Sequence, residues 1–370
     1  MKSRVLQLTS AHRWNDVRIY QKYAKTLAEQ DYDVHVLAPL PDGETCNCDP
    51  GITVHVFPMP SSRIRRMLGA LFLWRRVRRI NPAIVHIHDP ELLLTTYVLR
   101  MLGYKVIYDV HEDYPEKIRE KGWIPRWMRG CVRLVFMGIE SLSCRICSGV
   151  VAATDHIARR YHPGKTVVVR NYTMLNSAEK SSNEPHVSFV YAGVLSPLRG
   201  VREMLHAIEL LDNDSVQLDI YGHFTDRKLR AWVSEYKTSA NVNIHGWKER
   251  DEVIAHYSTS AAGLVLLHPT GTYTQSLPIK LFEYMASGLP VIASDFPYWR
   301  DIIESEQCGL MVDPLDTQAI ADAMQWVMDN PDEAAEMGMR GRQAVADRYN
   351  WKSERKTLLA LYQRVLLKSG

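Results

Sequence analysis

Two doubly wound α/β domains, each built on a parallel sheet and facing the other across a cleft, are the fold this sequence predicts. Three observations predict it. Short runs rich in Val and Ile alternate with helical patterns along the whole chain, and most are nearly continuous in apolar residues, as strands buried on both faces are. The alternation restarts after a polar, aperiodic stretch, TMLNSAEKSSNEPH at 173–186, of the kind that links domains. Finally, 370 residues with 46% hydrophobic and 24% charged composition suffice for two separate cores.

The first series of strands is RVLQLTS (4–10), DVHVLAP (33–39), AIVHIHD (83–89), KVIYDVH (105–111) and GVVAAT (149–154), with VVVRNY (167–172) leading out of the domain. The second is VSFVYAG (187–193), VQLDIYG (216–222), VNIHGW (242–247), AGLVLLH (262–268), PVIASD (290–295) and GLMVDP (309–314). Strand, helix, strand repeated in this way implies parallel sheets with helices on both sides. The boundaries expected are 1–175 and 176–350, with 351–370 a last helix that packs back on the first domain. Ligands of such sheets gather at the carboxyl ends of the strands.

Several classes fall away. No run of 18 apolar residues exists, so no membrane-spanning helix is expected. The start, MKSRVLQLTS, enters a strand without an apolar leader segment, and a cytoplasmic protein is expected. Cys46 and Cys48, and Cys144 and Cys147, lack the second pair that a zinc site needs, so reduced thiols are expected. Two Asp-x-Asp triplets, 31–33 and 212–214, precede strands instead of following them. They are turns by position, and no obligatory metal is expected. No Gly-x-Gly-x-x-Gly follows a strand, which disfavours a nicotinamide enzyme. Charge is uneven: residues 1–175 hold 26 Lys and Arg against 16 Asp and Glu, and the remainder 19 against 26. The first half therefore favours an anionic partner.

Two stretches carry an anion-binding pattern. In YAGVLSPLRGVREML (191–205) a strand ends at Gly193, a loop carries Arg199 and Gly200, and a helix begins, which suits a phosphate. In QSLPIKLFEYM (275–285), Ser276 is expected as the N-cap and Pro278 in the first turn, which puts Lys280 where a helix dipole disfavours cations. An anion at that helix end would justify the lysine. A solvent-reaching lysine, costing only about 0.3–1 kcal/mol, is the plain alternative. Glu283, one turn on, suits a ribose diol or merely solvent. His88 with Asp89, and His111 beside Asp109, Glu112 and Asp113, sit at carboxyl ends of two strands of the first domain.

SLPIKLFEYMASGLPVIAS resembles the signature of the retaining glycosyltransferases of family 4, whose fold is the two-domain GT-B architecture. YAGVLSPLRG resembles that family's phosphate loop. The resemblance spans the chain and is strongest from 187 to 314. It implies an enzyme that moves a sugar from a nucleotide-diphosphate sugar, with UDP preferred, to a saccharide or lipid-linked saccharide in cell-surface polysaccharide synthesis. By this resemblance the donor site comprises Gly193, Arg199, Gly200, Gln275, Ser276, Leu277, Pro278, Lys280 and Glu283, with His245 and Gly246 beside the base. His111, Arg199 and Lys280 are the catalytic candidates. His12, Asp16, Arg18, His88 and Asp89 are acceptor candidates. The first glutamate of the family's pair is Gln275 here, which keeps hydrogen bonding and loses the charge. The phosphate loop has Val194 where a basic residue is frequent. No cofactor beyond the sugar nucleotide is implied.

SSRIRRMLGALFLWRRVRRINP (61–82) contains seven arginines and no acid. It is too short to span a bilayer and reads as one interfacial helix, with Arg63, Arg65, Arg66, Trp74, Arg75 and Arg76 against an anionic membrane on the inner face of the plasma membrane. A core helix with solvated arginines carries equal weight. No nucleic-acid motif accompanies the charge, and no nucleic acid is expected. Two other functions stay open: a sugar-nucleotide epimerase of the same fold, which needs no acceptor, and a scaffold that binds sugar nucleotides without turnover.

Overall fold

A computed structural model describes residues 2–174, 187–236 and 241–367. The chain divides into two compact units, Met1–Asn171 with Lys352–Gly370, and Tyr172–Trp351. Most of the expected linker, from residue 175 to 186, lies outside the described residues.

In the first unit, β1 (Arg4–Leu8), β2 (Asp33–Leu40), β3 (Ile52–Pro58), β4 (Ile84–Ile87), β5 (Lys105–Val110), β6 (Gly149–Ala152) and β7 (Thr166–Val168) form one parallel sheet. Its order is β3-β2-β1-β4-β5-β6-β7. Val5 of central β1 lies opposite Val34 on one side and Ile84 on the other. The winding therefore reverses between β1 and β4, and the loops after these two strands open a crevice at their carboxyl ends. β3 is absent from the sequence expectation. It is an edge strand, and its residues ITVHVFP after Ile52 are half-buried or exposed and form no continuous apolar run.

The second unit holds β8 (Val187–Ala192), β9 (Val216–Tyr221), β10 (Asn241–Gly246), β11 (Ala262–Val265), β12 (Val291–Ser294) and β13 (Gly309–Val312), in the order β10-β9-β8-β11-β12-β13. Its reversal lies between β8 and β11. Both faces are buried: Phe189, Tyr191 and Ile292 pack into a core with Met204 and Leu205. Val190, Val291 and Ala293 point the other way into a core with Leu281, Phe282 and Met285. This two-sided burial produces the unbroken apolar runs of the sequence.

The helices that position the sites are α1 (Val17–Ala24, a π-helix), α2 (Arg63–Ala70), α3 (Trp74–Ile80), α4 (Tyr114–Glu120), α5 (Arg126–Ile146), α6 (Val201–Leu210), α7 (Ile279–Ala286) and α8 (Trp351–Leu367). The arginine-rich stretch is thus two short helices and not the single one expected. Gly69 weakens the first near its end, and the tight turn through Leu71–Leu73 lets Ala70, Leu73, Val77 and Ile80 all bury. From Lys352 onward, α8 packs on the first unit with Leu358, Leu361 and Val365 buried. There Gln7 Nε2 donates to Tyr362 Oη at 2.8 Å, and Lys105 Nζ donates to the Leu366 carbonyl at 2.9 Å.

Candidate active site

The reversal point of the second unit carries a loop shaped by two glycines. Gly193, directly after β8, has φ 146°, and a Cβ there would stand 2.9 Å from Lys280 Nζ. Only glycine lets the amine approach the backbone so closely. Gly200 closes the turn before α6 with φ 67°, where a Cβ would meet the Leu266 carbonyl oxygen at 2.4 Å.

Lys280 does not reach solvent. It is 7% exposed, its Nζ lies 3.6 Å from the centroid of the Tyr191 ring, and it has no hydrogen-bond partner among the described residues. Burial, and then the nearby charge of Arg199, hold its pKa well below the usual lysine range, with Glu283 opposing only in part. Arg199 is half-buried with its guanidinium 5.8 Å from the Tyr273 ring centroid. The Lys280 amine at Gly193 and the nearby Arg199 guanidinium therefore gather at the start of α7. That arrangement suits a polyvalent anion.

The helix start differs in detail from expectation. α7 begins at Ile279 with Pro278 as its cap residue and no side-chain cap. Ser276 is not the N-cap; its hydroxyl donates to the Tyr273 carbonyl at 3.0 Å. Trp299 Nε1 donates to the Ser276 carbonyl at 2.7 Å, and Leu277 packs against the core. These contacts fix the Gln275–Pro278 segment and leave the Gln275 side chain exposed. Glu283 is not free in solvent. It accepts from Arg250 Nε at 3.0 Å, and Arg250 also contacts Thr173 Oγ1 at 3.3 Å. Arg250 was missed because it lies in a different helix start, with no local pattern to mark it.

A cavity of about 260 Å³ adjoins Gly193, lined by Val194, Tyr221, Gly222, Trp247 and Val253 among others. His245, expected there, faces elsewhere: its ring stacks on Tyr221 at 4.4 Å and its Nε2 lies 2.7 Å from Asp219 Oδ1. The Gly246 carbonyl accepts from Gly222 N–H at 2.7 Å. In the stretch HGW it is Trp247 that reaches the cavity, because the strand register shifts between Ile244 and Gly246. The Tyr221 hydroxyl is buried without a hydrogen-bond partner among the described residues.

The crevice of the first unit gathers the loops after β1, β4 and β5. Asp89 Oδ2 accepts from Thr9 Oγ1 at 2.7 Å and Ser10 N–H at 2.6 Å. His12 bridges Asp89 Oδ1 at 3.3 Å and Asp16 Oδ2 at 3.4 Å. Burial alone would lower the His12 pKa, but the Asp16 hydrogen bond and the charges of Asp89, Asp16 and Glu112 push it up to about 9. Asp16 caps α1, accepting from the N–H groups of Arg18 at 2.8 Å and Ile19 at 3.0 Å.

Arg18, 5% exposed, forks onto Asp109 with two bonds of 2.8 Å. His88 lies between Asp109 Oδ2 at 3.1 Å and Gln7 Oε1 at 2.9 Å. Burial would raise the Asp109 pKa, yet Arg18 and His88 hold it well below the carboxylate range. Arg18, His88 and Asp89, expected to meet the acceptor, are buried and bonded to neighbouring groups, while Arg18 Nη1 and Asp89 Oδ1 have no hydrogen-bond partner among the described residues.

His111 remains available. Neither ring nitrogen has a hydrogen-bond partner among the described residues, and the His12 ring stands edge-on at 5.2 Å. Burial lowers its pKa against the pull of Asp109 and Glu112, so it is neutral near pH 7. The neighbours expected to orient it are engaged elsewhere: Glu112 pairs with Lys117, and Asp113 caps α4 while holding Arg160 at 2.6 Å. Of these expected neighbours, Asp109 stands by its ring at 3.8 Å.

Of the arginine-rich set, Arg66 bonds Glu91 at 2.9 Å, Arg76 donates to the Val56 carbonyl at 3.2 Å, and Trp74 packs against the core. Of these three, Arg66 and Trp74 are half-buried and Arg76 is exposed. Arg63, Arg65 and Arg75 stay exposed. Asp31 and Asp212, which open the two Asp-x-Asp triplets, are left-handed turn residues with φ 62° and 45°. Among the described residues no group of three or more His, Cys, Asp or Glu is placed to hold a metal, and no helix is long and apolar enough to cross a membrane. All six cysteines are free.

Two family models match the chain: "Glycosyl transferases group 1" over residues 175–344 and "Glycosyltransferase Family 4" over 18–172. A phosphatidyl-myo-inositol mannosyltransferase of Mycobacterium leprae is 32% identical over 76% of this chain and 73% of its own. WcaL of Salmonella typhimurium, named for colanic acid biosynthesis, is 26% identical over 38% of this chain. That match spans only 35% of WcaL's own length. Among solved structures, sucrose-phosphate synthase of Thermosynechococcus elongatus superposes with TM-score 0.80 at 17% identity, covering 99% of this chain and 100% of that one. HepE of Anabaena, in complex with UDP, superposes at 0.72 with 12% identity, over 98% and 100%.

Proposed function

This chain belongs to the group 1 glycosyltransferases, of GT-B fold, and we propose that it moves a hexose from a nucleotide-diphosphate sugar to a lipid-linked saccharide, with retention of configuration. The single observation that carries this is Lys280, a buried amine without a hydrogen-bond partner among the described residues, beside Arg199 and Gly193. A buried charge is costly unless something pairs with it. A diphosphate placed at Gly193 pairs with both cations at once.

The chemistry follows from that placement. As the bond from the sugar to the diphosphate breaks, negative charge grows on the leaving oxygen. Arg199 and Lys280 stabilise it more in the transition state than in the ground state. They do the work a divalent ion does elsewhere, so the reaction needs no obligatory metal. Glu283, fixed by Arg250, accepts from the ribose diol. The cavity beside Trp247 takes the base, and UDP is the preferred nucleotide; HepE, solved with UDP and with UDP-glucose, supports that choice. Neutral His111 offers one donor and one acceptor to the transferred sugar or its acceptor. The enzyme serves cell-surface polysaccharide synthesis at the inner face of the plasma membrane.

The test is turnover of UDP-, GDP- and ADP-hexoses with lipid-linked saccharides in chelator, with the product anomer read by NMR. Transfer with retention supports the proposal. Inversion of a sugar carbon without acceptor would replace it by an epimerase, and nucleotide binding without turnover by a scaffold.

A further inference from the structure

α5 turns its apolar side outward. Trp127, Cys131, Leu134, Val135 and Leu142 recur at helical intervals and all face solvent, with Trp127 81% and Leu134 66% exposed. Between Trp127 and Leu142 no exposed residue of α5 is charged. The covered side holds Glu140 and Ser143 beside Phe136, Ile139 and Cys144. A surface helix of a protein that lives wholly in water has the opposite polarity, and exposed apolar stripes of this length mark a contact surface.

The surroundings of the stripe are basic. From Lys121 to Ile139 the chain has no Asp or Glu and carries Lys121, Arg126, Arg129 and Arg133. Trp123, 61% exposed, precedes the helix, and the Arg63 guanidinium lies 5.2 Å from its ring centroid. That contact joins α5 to α2, where Met67 is 58% exposed. Two acid-free, arginine-bearing segments distant in sequence therefore share one face of the first unit.

We propose that the face made by α5, Trp123 and α2 docks on an anionic lipid surface. Charge complementarity selects this occupant. A second copy would set the same acid-free basic rim against itself, whereas anionic headgroups neutralise it while tryptophans and leucines enter the headgroup boundary. α5 lies along the surface and does not cross it, because Arg133 Nη2 ties it to Glu116 at 3.4 Å and Phe136 packs 5.9 Å from the Tyr114 ring. Both partners belong to α4, which starts at the His111–Asp113 loop. Docking so sets the acceptor crevice beside the lipid, a consequence that rests on the function proposed above.

The experiment sediments the full chain with vesicles of phosphatidylglycerol and phosphatidylcholine in equal parts, or of phosphatidylcholine alone, while UDP binding is followed in parallel. The wild type binds the mixed vesicles and releases them in high salt. Trp127→Gln with Leu134→Gln, both exposed, lowers that binding by about tenfold or more, as does Arg63→Gln with Arg65→Gln. UDP affinity is unchanged in every variant. Equal sedimentation of wild type and variants, or none by the wild type, overturns the proposal. So does a concentration-dependent dimer that only Trp127→Gln with Leu134→Gln dissolves. Loss of UDP binding alone would instead strike the donor site and leave the docking face standing.

Discussion

Lys280 is held by its neighbours in a state that disfavours its own charge, and this makes it the residue to test. Its folded pKa lies well below the unfolded value of 10.5. The free protein therefore binds fewer protons there than the unfolded chain, and stability from this group rises as pH rises through the folded value. A bound diphosphate reverses the balance by favouring the ammonium. Nucleotide binding is expected to be accompanied by net proton uptake, measured by calorimetry in buffers of different ionisation heat. Lys280→Met should abolish the uptake and weaken the nucleotide by about a hundredfold, the loss of a charge-assisted contact of roughly 2–3 kcal/mol, with folding intact. Uptake that survives in the variant would place the proton elsewhere. His12 runs the other way. Its pKa of about 9 is above the free value of 6.5, so its stabilisation is complete below 6.5 and is lost as pH rises through 9. Stability curves of wild type and His12→Gln should converge in alkali, and parallel curves would contradict the bridge to Asp16 and Asp89.

Loops at the two winding reversals depend on features that a sequence shows unevenly. Gly200→Ala is expected to cost about 1–3 kcal/mol in denaturant unfolding, because the residue is left-handed and its Cβ would press on the Leu266 carbonyl. A neutral result would mean that the turn before α6 can relax. The α8 helix is fastened through Tyr362, whose Oη lies 2.8 Å from both Gln7 Nε2 and His86 Nδ1. Tyr362→Phe should therefore destabilise the protein by about 1–3 kcal/mol, since it leaves buried polar groups without partners; an unchanged midpoint would remove α8 from the account of the crevice. The strands buried on both faces were legible as apolar runs, and the glycines as turns. Edge strand β3 was not, because its half-exposed residues, with Thr53 and His55 among them, leave no such run. Ser276 looked like a cap, but the carbonyl–tryptophan bond from Trp299 that shapes its segment comes from a distant helix. Local pattern names an element, while long-range bonds decide where it starts.

Across the whole molecule, the basic excess of the first half and the acidic excess of the second were visible by counting. The two-sheet α/β architecture was visible from the strand alternation. Site composition was only partly so. Gly193, Arg199, Gly200, Lys280 and Glu283 gather in the second unit because a motif keeps them close in sequence to the reversal point. Arg250 joins them from elsewhere and carries no motif. In the first unit His88 and Asp89 stand at a strand end as expected, but their side chains, like that of Arg18 on α1, turn inward to bond neighbouring groups. Position along a strand is written in the sequence, whereas inward or outward orientation beyond the strand's end depends on partners that folding supplies. The most direct test of the central claim is titration of UDP, GDP and ADP into wild type and Lys280→Met, with magnesium and with chelator. The account predicts tight binding of one nucleotide to the wild type, indifferent to chelator, and its loss in the variant. Binding that needs magnesium, or that Lys280→Met leaves untouched, would contradict a donor site built on these two cations.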